Sequence, residues 1–164
     1  MTDDHSHCDH SPADYGSVGE RLDEASRLCL RRGGKLTEQR AAVLEALLRA
    51  GGAVGAYDLI ERLQSTGGKR VAPITIYRAL DFLVANDLVH RIESRNAFLA
   101  CPGGHGAHPQ AIFLICDACG TVVEATAPDV DASLAAIAGA RGFHPRARVI
   151  ELSGQCAACT AGNS

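Results

Sequence analysis

Apolar residues recur at three- and four-residue intervals through the first half of the chain and at alternate positions after it. Between Val18 and Arg32, Leu22, Ala25, Leu28 and Cys29 share one helical face, and Gly33-Gly34 ends the run. Thr37 stands where it would cap a second helix, TEQRAAVLEALLRA. There Val43, Leu44, Leu47 and Leu48 line one side, and Gly51-Gly52 stops the winding. A third helix, AYDLIERLQST, turns Leu59, Ile60 and Leu63 inward and ends at Gly67-Gly68. A fourth, PITIYRALDFLVAND, opens on Pro73, which has no N–H to leave unpaired in a first turn, and buries Ile76, Leu80, Leu83 and Val84.

Two short alternating runs follow, LVHRIE and AFLA, split by Ser94-Arg95-Asn96 in the pattern of a hairpin. Helices followed by a small hairpin predict a winged helix-turn-helix over residues 18–100. In that arrangement the last helix enters the major groove of DNA and the hairpin wing touches the backbone. Thr75, Tyr77, Arg78 and Asp81 lie off the apolar face of the fourth helix, and the first three carry groups that bond phosphates or base edges.

The pattern changes after Cys101. CPGGHGAHPQ is a Gly/Pro-rich connector, predicting a hinge at 101–110. Residues 111–164 then read β-β-α-β: AIFLIC, TVVEA, a helix from about Asp129 to Ala140, and RARVIEL. A segment this short has little core of its own, so metal or dimerisation is expected to stabilise it. The fold class is therefore α+β: an N-terminal DNA-binding domain and a small C-terminal α/β dimerisation domain with a metal site.

Composition sharpens the division. The net charge of −3 favours no acidic partner, but its distribution is uneven. Residues 20–95 carry 13 basic against 10 acidic side chains, whereas the first nineteen residues carry four acids and no Lys or Arg. The positive excess thus falls on the predicted reading domain. Residues 1–17 (MTDDHSHCDHSPADYGS) read as a disordered tail whose His5, His7, Cys8 and His10 resemble a metal motif but fit a flexible segment better. No apolar run approaches the roughly 20 residues of a membrane helix, and the acidic start is the reverse of a secretory signal. A cytoplasmic location is expected.

In a reducing compartment, seven cysteines point to metal rather than to disulfides. Cys116-x-x-Cys119 and Cys156-x-x-Cys159 form two knuckles that would complete a tetrahedral thiolate site. Such a site leaves no open position, so it is structural. A thioredoxin-like redox pair fits less well, because neither pair opens a helix after a strand in a βαβ unit. Cys29 reads as core. A second constellation remains: His90 on the wing, Cys101 after it, His105 and His108 in the connector, and Glu124 beyond Cys119. It is a mixed N/S/O set of the kind zinc accepts, drawn from both domains. An enzyme is not expected: no His-Glu-x-x-His or His-x-Glu occurs, and Glu124 reads better as a ligand than as a general base.

From about Arg21 to Cys159 the chain resembles the ferric-uptake-regulator family of metal-responsive bacterial repressors. The resemblance is carried by LTEQRAAVLEAL, AYDLIERL, PITIYRALDFLVANDLVHRIES and the two cysteine pairs. AYDL, YRALDFL, VHRIES and ICDACG are most similar to its zinc-responsive branch. The resemblance implies a homodimer that binds an AT-rich inverted repeat in double-stranded operator DNA when zinc-loaded and represses zinc-uptake genes. It implies two zinc ions per monomer: a structural one on Cys116, Cys119, Cys156 and Cys159, and a regulatory one on His90, Cys101, His108 and Glu124, with His105 as the alternative to His108. It also implies DNA contacts by Tyr77 and Arg78, and by Arg40 at the start of the second helix. An iron-responsive or a peroxide- and thiol-responsive regulator on the same fold is the alternative. The sparse GHGAHPQ connector and the soft thiolate of Cys101 argue against iron.

Overall fold

The computed structural model describes residues 16–65, 72–101, 111–145 and 148–161. The tail histidines with Cys8, both connector histidines and the expected stop at Gly67-Gly68 lie outside them.

Four helices form the first layer: α1 (Val18–Arg31), α2 (Glu38–Ala50), α3 (Ala56–Ser65) and α4 (Pro73–Ala85). Their ends are set by local chemistry. Ser17 and Glu20 form a reciprocal capping box on α1, and Gly33 leaves that helix in the left-handed region at φ +75°. The hydroxyl of Thr37 accepts from the backbone N–H of Arg40 at 3.4 Å, and Gly51 closes α2 at φ +66°. Pro73 opens α4, which stops two residues short of the sequence-based end because Asp87 turns left-handed at φ 56°. Arg32 then meets Asp87 at 2.9 Å, joining the ends of α1 and α4.

The apolar faces converge as the spacing predicts. Leu47, Leu59, Leu80, Leu83, Val43, Ile76 and Cys29 are all fully buried in one helical core. Burial raises the Cys29 thiol pKa, as expected of a core sulfhydryl. Truncating any of the core leucines to Ala would cost about 2–5 kcal/mol.

Beneath the helices lies an antiparallel sheet ordered β1-β3-β2. Strands β2 (Val89–Ile92) and β3 (Ala97–Ala100) form the expected hairpin, or wing, joined by a 3₁₀ turn over Glu93–Arg95. Strand β1 (Val54–Gly55), not evident from the pattern, pairs Val54 with Phe98 just before α3 begins. A second sheet, ordered β5-β4-β6, is built from β4 (Ala111–Cys116), β5 (Val122–Thr126) and β6 (Ile150–Gly154). Helix α5 (Pro128–Gly139) lies between β5 and β6 in the chain, which lets β6 run parallel to β4. A short α6 (Ala157–Ala161) follows.

The wing is the middle layer. Its Val89 and Phe98 enter the helical core, while Ile92 and Ala97 pack on Phe113 and Ile115 of β4. Its tip is engaged as well. Glu151 of β6 accepts from the backbone N–H of Glu93 (2.7 Å) and Ser94 (3.1 Å), and Arg95 pairs with Asp117 at 2.9 Å. In this arrangement the two backbone donors and the cation of the wing tip are thus held by the C-terminal unit.

Candidate metal centres and DNA-facing surface

Strand pairing brings the two cysteine knuckles together. Cys116 ends β4 opposite Gly154 of β6, so both Cys-x-x-Cys segments leave the same edge of the sheet. Gly120, at φ +76°, donates its N–H to the Cys116 carbonyl at 2.9 Å and folds the first knuckle back. The four sulfurs lie within 4.8 Å of one another, and Cys119 Sγ sits 3.8 Å from Cys156 Sγ. Tetrahedral zinc with Zn–S bonds of about 2.3 Å requires sulfurs about 3.8 Å apart. The donor set fits zinc.

Two of the four thiols are shifted toward the thiolate that binds metal. The backbone N–H of Cys156, 3.3 Å from Cys116 Sγ, brings the Cys116 pKa down to about 6. The Thr121 hydroxyl, 3.2 Å from Cys119 Sγ, lowers that thiol too. Cys159 is pushed up to about 12 because its proton is shared with the sulfurs of Cys156, Cys119 and Cys116. A divalent cation bound here would displace the thiol protons.

The second constellation also assembles. His90, Cys101 and Glu124 place their ligand atoms within 4.8 Å of one another. His90 Nε2 is 3.5 Å from Glu124 Oε2, with side chains only 15% and 10% exposed. Each residue is held by its own element. The His90 ring tilts against Phe113, centroids 5.2 Å apart. Cys101, 3% exposed, is fixed through both backbone groups: its N–H donates to the Leu88 carbonyl at 3.0 Å, and its carbonyl accepts from the Arg21 guanidinium. Glu124 sits opposite Phe113 on the strand next door. Its Oε2 is buried without a hydrogen-bond donor, a costly state that a cation would relieve. The fourth expected ligand, His108 or His105, lies outside the described residues.

On the expected DNA surface, Arg78 of α4 is exposed, while Thr75 and Tyr77 are half-buried, Tyr77 resting on the helical core. Arg40 is more engaged than its position suggested. Its guanidinium stacks 3.5 Å above the Phe82 ring and donates to the Lys35 carbonyl at 2.6 Å. Tyr57, 79% exposed on the first turn of α3, was not singled out from sequence. Neither were Glu151, Arg95 and Asp117. Alternation with Ile150 and Leu152 puts a polar residue at position 151, so the pattern carried no signal for the Glu151 contact.

On the opposite face of the C-terminal sheet, Leu114 sits between Val123 and Leu152, and all three are exposed. They form an apolar row of the kind a second subunit covers. No helix among the described residues is long and apolar enough to cross a membrane.

Comparison with known proteins agrees with this geometry. The model of the ferric uptake regulator family matches residues 31–153. The zinc uptake regulation protein of Escherichia coli K12 is 40% identical over 141 residues, spanning 85% of this chain and 81% of that one. A solved zinc uptake regulator complexed with zinc and DNA superposes with a TM-score of 0.84 at 36% identity, covering 90% of this chain and 98% of its own. Holo XcZur gives a TM-score of 0.79 at 43% identity, with 88% and 99% coverage. The apo crystal form of XcZur, at the same identity and 87% and 97% coverage, gives only 0.50.

Proposed function

The chain belongs to the ferric uptake regulator family, and we propose that it is a zinc-responsive transcriptional repressor that binds operator DNA as a zinc-loaded homodimer and controls zinc-uptake genes. The observation that carries this reading is the meeting of His90, Cys101 and Glu124 within 4.8 Å across the boundary between wing and C-terminal sheet. Residues 18–100 act as the reader, 101–110 as the hinge and 111–164 as the dimerising platform, with residues 1–17 as a tail. The protein regulates rather than catalyses, and it works in the cytoplasm.

Each monomer holds two zinc ions in this reading. Cys116, Cys119, Cys156 and Cys159 hold the structural one. His90, Cys101 and Glu124, with His108 of the connector or His105 in its place, hold the regulatory one. When bound there, zinc supplies a link between wing and sheet that neither could form with its own ligands alone. The chain's residues do the rest. Phe113 orients the imidazole, the Leu88 and Arg21 contacts hold Cys101, and Glu124 brings the opposing charge. A cysteine among the ligands favours zinc over iron, and the relatives at 36–43% identity are zinc uptake regulators.

The superpositions support a shift between arrangements, since this chain lies nearer the holo than the apo form of XcZur. A two-state reader that goes from about 1:99 to 99:1 needs ligands that favour one state by roughly 10⁴-fold. Ligands split between two domains can discriminate that strongly, because a separated arrangement cannot gather them. On DNA, the exposed Arg78 with Thr75, Tyr77 and Arg40 would contact an AT-rich inverted repeat, one half-site per subunit.

Zinc stoichiometry per monomer, measured alongside operator binding under graded chelation, tests this. Two classes of zinc are expected, the weaker tracking DNA affinity. A single tightly held zinc, with operator binding indifferent to chelator, would overturn it.

A further inference from the structure

We propose that Glu151 is a positioning residue for the mixed zinc site, holding the wing at the place where His90 meets Glu124. The inference rests on the regulatory reading above and extends it to a residue outside the ligand set.

Glu124, Phe113 and Glu151 form one row across the C-terminal sheet, with Phe113 opposite each glutamate. The row touches the wing at three points. Glu124 reaches His90 on β2, Phe113 packs under the His90 ring, and Glu151 accepts from the N–H groups of Glu93 and Ser94 at the tip. Cross-strand neighbours in a sheet sit about 4.5–5.5 Å apart, so the row is a rigid ruler. The wing side is equally short of freedom. His90 and Ile92 lie on one face of a four-residue strand that runs directly into the 3₁₀ turn. Fixing the tip therefore fixes the height of His90 above Glu124.

The contact at Glu151 suits that task. The first N–H groups of a helical turn have no partner within it, and a carboxylate that accepts two of them makes charge-assisted bonds. Burial works against the Glu151 carboxylate, yet the Ser94 hydroxyl, with the backbone N–H groups of Ser94 and Glu93, still holds its pKa below the ordinary value. A second strap runs beside it: Arg95 donates to the Cys116 carbonyl at 3.1 Å and pairs with Asp117. Among the described residues, the apolar seam between wing and sheet has four buried members, Ile92, Ala97, Phe113 and Ile115. Apolar burial is non-directional, so the register of wing on sheet depends on these polar straps.

The test uses the full chain, zinc competed against chelators of graded strength, and an operator selected from random duplexes by the zinc-loaded wild type. Glu151→Gln is expected to keep the four-cysteine zinc and to reach wild-type operator affinity once zinc saturates. It should need about tenfold more free zinc to do so, the equivalent of one charge-assisted hydrogen bond. Ser94→Ala, at an exposed position, should shift the requirement the same way by less. An unchanged zinc requirement in both variants overturns the proposal. So does a loss of operator affinity at saturating zinc without a change in zinc requirement, which would give Glu151 a role in the fold alone. If wild-type operator binding ignores the second zinc, the regulatory reading falls, while the competition measurement still decides the role of Glu151.

Discussion

His90 Nε2 lies 3.5 Å from Glu124 Oε2, although one residue belongs to the wing and the other to the far sheet, on opposite sides of the connector. Contact between them requires the two units to be docked. His90→Ala and Cys101→Ser should therefore abolish zinc-dependent operator binding in a dimer that stays folded. The fall in zinc affinity should exceed the roughly 10–100-fold caused by losing an outer-shell partner. Zinc competition and circular dichroism on the same samples separate the two effects.

Cys116→Ser should behave differently. Structural zinc contributes about 10–16 kcal/mol in small domains, as much as the whole stability of a typical protein. The variant should lose its tightly held zinc, and the C-terminal unit should unfold or lose its partner, visible as altered mass in sedimentation. If it kept a folded dimer and lost only zinc response, the division between scaffold and sensor would be wrong.

Arg78→Ala should leave zinc affinity unchanged and weaken operator binding by about 1–3 kcal/mol. If Arg78 reads a base edge, discrimination at one position will relax. If it contacts phosphate, binding weakens evenly and the salt dependence becomes shallower.

How much of this could be read from the chain alone depends on how local each cause is. The helices could be, because Thr37, Gly51 and Pro73 act on their immediate neighbours. The thiolate knuckles could be, since spacing alone aims both sulfurs of a pair at one point. The two-residue strand β1 could not, because it exists only through its pairing with Phe98. Arg40 was legible as a cation but not as one stacked on Phe82, a contact between helices. Glu151 lies 57 residues from Ser94, and no periodicity links positions that far apart.

An acid titration gives a further check. The Glu151 carboxyl is held below its ordinary value of 4.5, despite burial, by the Ser94 and Glu93 groups. A depressed carboxyl stabilises the fold above its unfolded pKa, and that contribution is lost as pH falls through the folded value. Wild type should thus melt above Glu151→Gln at pH 7, and the gap should close as pH drops below 4.5. A gap that stays constant down to full protonation would show that the charge is not what holds the tip.

Leu152→Asp, in the exposed apolar row with Leu114 and Val123, should shift the protein from dimer to monomer and raise the concentration at which operator binding is half complete. Sedimentation in the presence of zinc checks it, and an unaltered dimer would place the subunit contact elsewhere.

Strand β4 has one consequence for how such a protein can change over generations. It carries Phe113 and Ile115 toward the wing, Leu114 toward the opposite face and Cys116 at its end. Side chains alternate along a strand, so inserting or deleting a single residue ahead of Cys116 would exchange the two faces at once. The imidazole would lose its ring, the outer row would lose its leucine, and Cys116 would point away from its three companions. Substitutions here can be made one at a time, but a change in length would disable metal sensing, subunit pairing and the thiolate cage in one event. The segment is therefore expected to vary in composition while keeping its residue count.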